Sequence, residues 1–355
     1  MSQMAPSSSS GFRPIRLAGG LLSFRLARGS LLRCSALAGV TALLAVMALS
    51  IGTVTLSFPE VLAALMGESS RQLHLLVVEW RLPRIAGALL AGAALGLAGA
   101  LFQTLLRNPL GSPDVIGFDA GAFSGALLAI TAGAAPAMVA LSGFGGGLVA
   151  GLLVLIFSGR AQDTTSRIIV VGIAVGALFT AVNDWIILTV RLDTALAAAN
   201  WRIGSLAGIR WDNLAQVAAL LALLLPLGLL CHRPLRAFGL GEDRAAALGA
   251  HPGCVRMLVA AIGIALTATA TFLTGPIGFV ALIAPQIGLR LTGSSSPPLL
   301  GSALSGGLFL LASDMAGRLL FAPRAIPAGA LTATVGGIYF VGLLWSRRTA
   351  AESRP

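Results

Sequence analysis

Apolar residues fall along this chain in ten long blocks, at about 35–56, 82–106, 115–133, 137–158, 168–190, 213–231, 255–274, 277–292, 298–320 and 328–346. Polar and charged residues are gathered into the short connections between them. A helix rises about 1.5 Å per residue and the bilayer core is about 30 Å thick, so about 20 apolar residues cross it once. The blocks are too long for barrel strands, and an open sheet edge is not viable in lipid, so the spans are helices. The pattern predicts an all-α polytopic membrane protein with about ten transmembrane helices. The third, fourth, eighth and tenth blocks are short or rich in glycine and proline. That form is tolerated where a helix packs inside protein or lines a cavity.

Residues 1–33, rich in Ser, Pro and Arg, read as a disordered basic lead. A signal peptide is the competing reading of the first block, but more than 30 residues precede it and no soluble domain follows a small-x-small site. The remainder divides into one ten-helix domain over 34–348 and a tail over 349–355. With both termini cytoplasmic, Arg71, Arg81, Arg84, Arg191, Arg202, Arg210, Arg318 and Arg324 fall outside and the other sixteen of the 24 basic residues fall inside. That bias obeys the positive-inside rule, and it leaves Arg81 and Arg84 on the minority face.

Composition narrows the function. The chain is 56% hydrophobic and 10% charged, with a net charge of +11. Its arginines are spread between apolar blocks rather than along one soluble face, which argues against nucleic acid. There is no lysine, so the chain has no P-loop lysine to reach a nucleotide's phosphates. Any ATP hydrolysis belongs to another polypeptide. Cys34, Cys231 and Cys254 form no CxxC pair and lie near predicted cytoplasmic helix ends, which argues against a disulfide. His74, His232 and His251 are scattered, so no metal site, bound cofactor or catalytic set is expected.

Several residues invite a role. Gly92, Gly96 and Gly99 in the second block let a neighbouring backbone approach, and Gln103 can bond another helix. Asp314 and Arg318, four apart, share a helix face. In "GEDRAAALGA" (241–250), Glu242 and Asp243 suit a helix's first turn, and Gly249 can end it; taken alone, this is a solvated loop helix. Gly275-Pro276 and Pro327-x-Gly329 break the chain before the eighth and tenth blocks. Asp119, Asp184 and Asp314 all fall near block ends. The lack of a mid-span carboxylate argues against an ion-coupled carrier and predicts a neutral path.

Five segments, in order, carry a family likeness. They are "RLPR…GAALGLAG…Q…RNPLGSP" (81–113), "NWRIGSLAGIRW" (200–211), "GLGEDRAAALGA" (239–250), "GPIGFVALIAP" (275–285) and "SDMAGRLLFAPRAIPAGALTATVGG" (313–337). Together they resemble the permeases of the ABC importers for iron–siderophores and vitamin B12. The resemblance implies a second permease subunit, as homo- or heterodimer, two cytoplasmic ATPase subunits, a substrate-binding protein and a bacterial inner membrane. It implies docking of that binding protein on Arg81, Arg84 and Arg318, with Asp314 positioning Arg318; the alternative for Arg84 is an anchor in lipid headgroups. ATPase coupling would fall on Gly241, Glu242, Asp243, Arg244, Ala247, Leu248 and Gly249. Gly92, Gly96, Gln103, Gly275, Pro276, Pro285, Pro327 and Gly329 would serve packing or the pathway. The family's Pro-His is here Pro285-Gln286, its Asp-His-Arg is Ser294-Ser295-Ser296, and a glutamate is replaced by Ala325. A ferric siderophore is the expected cargo, with vitamin B12 or heme as alternatives, and a carrier acting without an ATPase is the other reading.

Overall fold

The structure, a computed structural model, describes residues 12–17, 22–52, 54–114, 117–159, 164–232, 234–235, 251–294, 298–320 and 325–352. In chain order its helices are α1 (Arg28–Ser50), α2 (Phe58–Met66), α3 (Arg71–Leu105), α4 (Phe118–Thr131), α5 (Pro136–Ser158), α6 (Thr164–Thr189) and α7 (Leu192–Ile203). There follow α8 (Trp211–Leu230), α9 (Pro252–Thr274), α10 (Val280–Thr292), α11 (Leu299–Leu319) and α12 (Ala328–Glu352). Among the described residues, seven helices are long and apolar enough to cross a membrane: α1, α3, α5, α6, α8, α9 and α11. α4, α10 and the Ala328–Gly342 part of α12 are shorter apolar helices.

Two features differ from the sequence reading, and a third lies at Pro83. The lead was expected to be disordered over 1–33. Instead, Phe12–Leu17 pairs antiparallel with Leu22–Ala27, and α1 begins directly at Arg28. "LSFRLA" alternates apolar and polar residues over its first five positions, the period of a strand. At the other end α12 runs on to Glu352, through the start of the expected tail. Finally, Pro83 sits in the first turn of the α-helical run that starts at Leu82, but the helix itself begins earlier. α3 starts at Arg71, passes through a π-wound stretch at Leu75–Arg81, and continues as α-helix from Leu82. Proline lacks the N–H that would bond the carbonyl four residues back and crowds that carbonyl. The widened turn lies immediately before it.

α3 is the central element: 78% of its most apolar window is buried, against 22% for α1 and 22% for α6. α11 lies antiparallel to it, in one register. Arg84 meets Asp314, Gly92 meets Gly306, and Gly96 meets Ser302, so each step along α3 is matched by an equal step back along α11. The backbones touch. A Cβ added to Gly92 would lie 2.4 Å from the Gly306 carbonyl oxygen, and one on Gly96 would lie 2.2 Å from that of Ser302. Lipid tails are as apolar as leucine, so helices in a membrane associate through such close packing and through polar contacts.

α10 joins the opposite side of the same small-residue face. Pro285 deprives the Ala281 carbonyl of its helical partner, and that oxygen would lie 1.8 Å from a Cβ on Gly99. One turn further along α3, Gln103 Nε2 donates to the Leu282 carbonyl at 2.9 Å, and Gln286 Nε2 donates to Gln103 Oε1 at 2.7 Å. Gln286 is therefore half of an amide pair between α3 and α10.

Gly99→Ala is expected to lower the thermal midpoint of the purified protein, by an overpacking cost of about 1–3 kcal/mol. Gly39→Ala, where an added Cβ meets nothing within 4 Å, is the control and should leave the midpoint unchanged.

Candidate functional site: an arginine cluster and a central cavity

Arg81 does not stand exposed at the rim. Its side chain turns back to the end of α1, where Nη1 donates to the Leu49 carbonyl and to that of Ser50 at 3.3 Å, and Nη2 donates to the Val54 carbonyl. The residue is 5% exposed. The last carbonyls of a helix have no partner within it, and a cation there also meets the negative end of the helix dipole. Gly52 leaves room for the guanidinium, since a Cβ there would lie 3.0 Å from Nη2. Arg81, expected to meet an incoming partner, is buried here and its donors serve the α1 terminus.

Arg84 and Arg318 share one carboxylate. Arg84 Nε lies 3.0 Å from Asp314 Oδ2, and its Nη2 lies 2.7 Å from Oδ1, a two-pronged contact. Arg318 Nε lies 3.2 Å from Asp314 Oδ2, the i,i+4 pairing legible in the sequence. The Asp314 side chain is 1% exposed and that of Arg84 22%. Arg318 Nη2 is buried with no hydrogen-bond partner among the described residues. Two guanidinium groups thus lean on one carboxylate, with Arg84 at the wetter edge. The sequence reading missed Arg84 as the main partner of Asp314, because the two are 230 positions apart and only the α3–α11 register joins them.

The expected chain breaks come together. Ser205 N–H donates to the Thr274 carbonyl at 2.7 Å, and Gly329 N–H donates to the Gly204 carbonyl at 3.2 Å. A Cβ on Gly204, which has φ of 71°, would lie 2.2 Å from the Pro276 carbonyl oxygen, and one on Gly329 would lie 1.8 Å from that of Ile203. Gly275, Pro276, Pro327 and Gly329 are therefore parts of one knot closed by Gly204. Only the glycine in "WRIGSL" hinted at that fifth member.

A cavity of about 620 Å³ opens beside the knot, lined among others by Asp114, Asp119, Asn183, Arg202, Pro276 and Gly329. Asp114 Oδ2 accepts the Phe279 N–H at 3.3 Å and holds Phe279 at φ 68°, a left-handed conformation uncommon for a large residue, at the head of α10. The Arg202 guanidinium lies 5.3 Å above the Phe123 ring, which stacks on Trp201 at 6.4 Å. Asn183 donates to the Ala120 carbonyl at 3.0 Å and accepts from Ser124 at 2.7 Å. Two carboxylates, Asp114 and Asp119, thus line a cavity in a chain whose sequence predicts a neutral path. Asp119 does occupy a first helical turn, but α4 begins beside Gly176, midway along α6, so its end lies inside the molecule. Among the described residues no group of three or more His, Cys, Asp or Glu could hold a metal ion. Gly241, Glu242, Asp243, Arg244, Ala247, Leu248 and Gly249 lie outside the described residues.

Residues 40–346 match the family model described as the FecCD transport family. The chain belongs to the FecCD transport family. It is 43% identical over 320 residues to the ferric enterobactin transport system permease protein FepG of Escherichia coli (strain K12), with 90% of this chain and 97% of that protein covered. It is 35% identical over 311 residues to the Fe(3+)-citrate import system permease protein YfmE of Bacillus subtilis (strain 168), with 87% and 93% covered. A solved structure described as an inward-facing metal-chelate type ABC transporter superposes with a TM-score of 0.79 at 28% identity, covering 88% of this chain and 98% of that one. This FecCD chain is thus a multi-pass transport permease of the bacterial inner membrane, not an enzyme.

Asp314→Ala would leave two guanidinium groups without their counter-charge. A loss of about 3–5 kcal/mol is expected, read as a fall in thermal midpoint or in the yield of folded protein. A midpoint equal to that of the unaltered protein would show that the pairing does not hold α3 to α11.

Proposed function

We propose that this chain is the permease subunit of an ATP-driven importer of ferric siderophores. The observation that carries the reading is a likeness along nearly the full length of ferric-chelate permeases, in a chain that has no lysine for a nucleotide site. The proposed arrangement has ten spans and both termini in the cytoplasm. Ten helices coincide with the ten apolar blocks, which supports the count, and the arginine bias supports the orientation. The proposed partners are a second permease, two ATPase subunits reached through residues 241–250, and a substrate-binding protein on the opposite face.

Arg84 is the proposed first contact for that binding protein. Asp314 fixes its guanidinium through Nε and Nη2, and the side chain keeps 22% of its surface exposed. A guanidinium held in this way pairs with a partner carboxylate with little further ordering. Rim charges of this kind set encounter rate and register more than affinity. Arg318 backs it from the same carboxylate, and Arg81 acts indirectly by tying α1 to α3. The cavity beside the knot is the proposed section of the cargo path in this subunit. A proton-coupled carrier is the second reading, favoured only by Asp114 and Asp119 in the cavity wall.

Reconstitution with ATPase and binding protein separates the two readings. Uptake of a ferric siderophore is expected to require ATP and to ignore an imposed proton gradient; uptake that follows the gradient without ATP would end the importer reading. In the same system Arg84→Glu is expected to weaken binding-protein docking about tenfold, on the order of 1.4 kcal/mol, most visibly at low salt. Leu248→Asp is expected to leave docking intact and to abolish stimulation of the ATPase by cargo-loaded binding protein.

A further inference from the structure

α2 is apolar on both sides. Val61 and Ala64 are buried against the start of α3, where the Ala64 carbonyl lies 3.1 Å from His74 Nδ1. On its outer side Phe58, Leu62, Leu65 and Met66 form a stripe at i, i+4, i+7 and i+8, with Phe58 62% and Met66 67% exposed. Glu60, the only charged residue of the helix, is turned back onto Ser57, accepting its N–H and its Oγ–H at 2.7 Å each. The stripe therefore offers no donor or acceptor side chain. A helix that is apolar all round is covered by something.

Depth identifies the cover. α3 has 35 residues and so is about 52 Å long, against a hydrocarbon core of about 30 Å. Its unbroken apolar run begins at Ile85, after Arg84, so the stretch from Arg71 to Arg84 projects into the headgroup layer. α2 packs on that projecting stretch. Two tryptophans mark the same level. Trp80 is 67% exposed, and Trp211 donates its Nε1–H to the Val78 carbonyl at 2.9 Å; tryptophan gathers at membrane–water boundaries. α1 likewise exposes Val40, Leu43 and Met47, and Val54 in the connection from α1 to α2 is exposed as well. The stripe itself carries no polar side chain, and Glu60, the exposed charge beside it, is turned onto Ser57.

We propose that α2 is an interfacial anchor, seated in the headgroup layer with Phe58, Leu62, Leu65 and Met66 turned to lipid. Trp80 is a second anchor at the same depth. The pair fixes the height of the widened turn, and hence of Arg81 and Arg84, relative to the bilayer surface.

Nitroxide side chains attached to p-acetylphenylalanine at Leu62 and Met66, which leave the three native cysteines alone, test this in the full chain in phosphatidylcholine–phosphatidylglycerol nanodiscs. Collision accessibility to oxygen is expected to exceed that to Ni(II)-EDDA at both positions, with the order reversed at Asp193, whose side chain is 86% exposed. Access dominated by Ni(II)-EDDA would place the stripe in water and overturn the proposal. Suppressed access to both reagents would put a protein there, a second copy of this chain, and would also overturn it. A label-free check uses shallow brominated lipids. The quenched share of tryptophan emission should fall in Trp80→Phe, and an unchanged share would contradict the second anchor.

Discussion

The structure depends on how closely the α3 backbone approaches those of α10 and α11. Gly92 and Gly96 admit carbonyls of α11, and Gly99 admits the carbonyl that Pro285 frees in α10. Such contacts permit one register only, because a shift of one residue would bring a Cβ onto a carbonyl oxygen. That register carries Arg84 to Asp314 at one end of the pair and places Gln103 beside Gln286 on the other flank. The polar contacts are thus consequences of the apolar packing. In a bilayer the amide pair also adds to it, since a buried amide there has no water as an alternative partner.

The cavity follows from the opposite property, the places where helices stop. α7 ends at Gly204, α9 at Gly275 and Pro276, and α12 starts after Pro327. Their broken ends bond to one another rather than to lipid, as membrane burial requires of any non-helical backbone. α4 and α10 then begin inside the molecule, and their first residues, with the Asp114 carboxylate and the Phe279 backbone, become cavity wall.

Much of this was legible in the sequence. Each of the ten apolar blocks overlaps a described helix, seven of them long and apolar enough to cross a membrane, and the glycines, Gln103 and the paired breaks stood out by residue type alone. What escaped depended on distant neighbours. Arg81 looked like a rim charge because the Leu49 carbonyl it serves, at the end of α1, lies 32 positions earlier in the chain. Asp119 looked like a surface helix end because nothing in its own segment shows that α4 begins beside the middle of α6. The short helices α2 and α7 hold too few residues to announce a span. Gln286 read as a departure from a family pattern until Gln103 was found opposite it.

Register control of the arginine cluster is most directly tested by a double-mutant cycle between Arg84→Gln and Asp314→Asn, read by thermal unfolding and run in two backgrounds. One background is the unaltered protein. The other is Gly306→Ala, eight residues or about 12 Å along α11 from Asp314, where an added Cβ would lie 2.0 Å from the Gly92 carbonyl oxygen. A favourable coupling in the first background that falls toward zero in the second is expected. Coupling of equal size in both, with Gly306→Ala accommodated at no loss of stability, would contradict the dependence of the cluster on backbone contact.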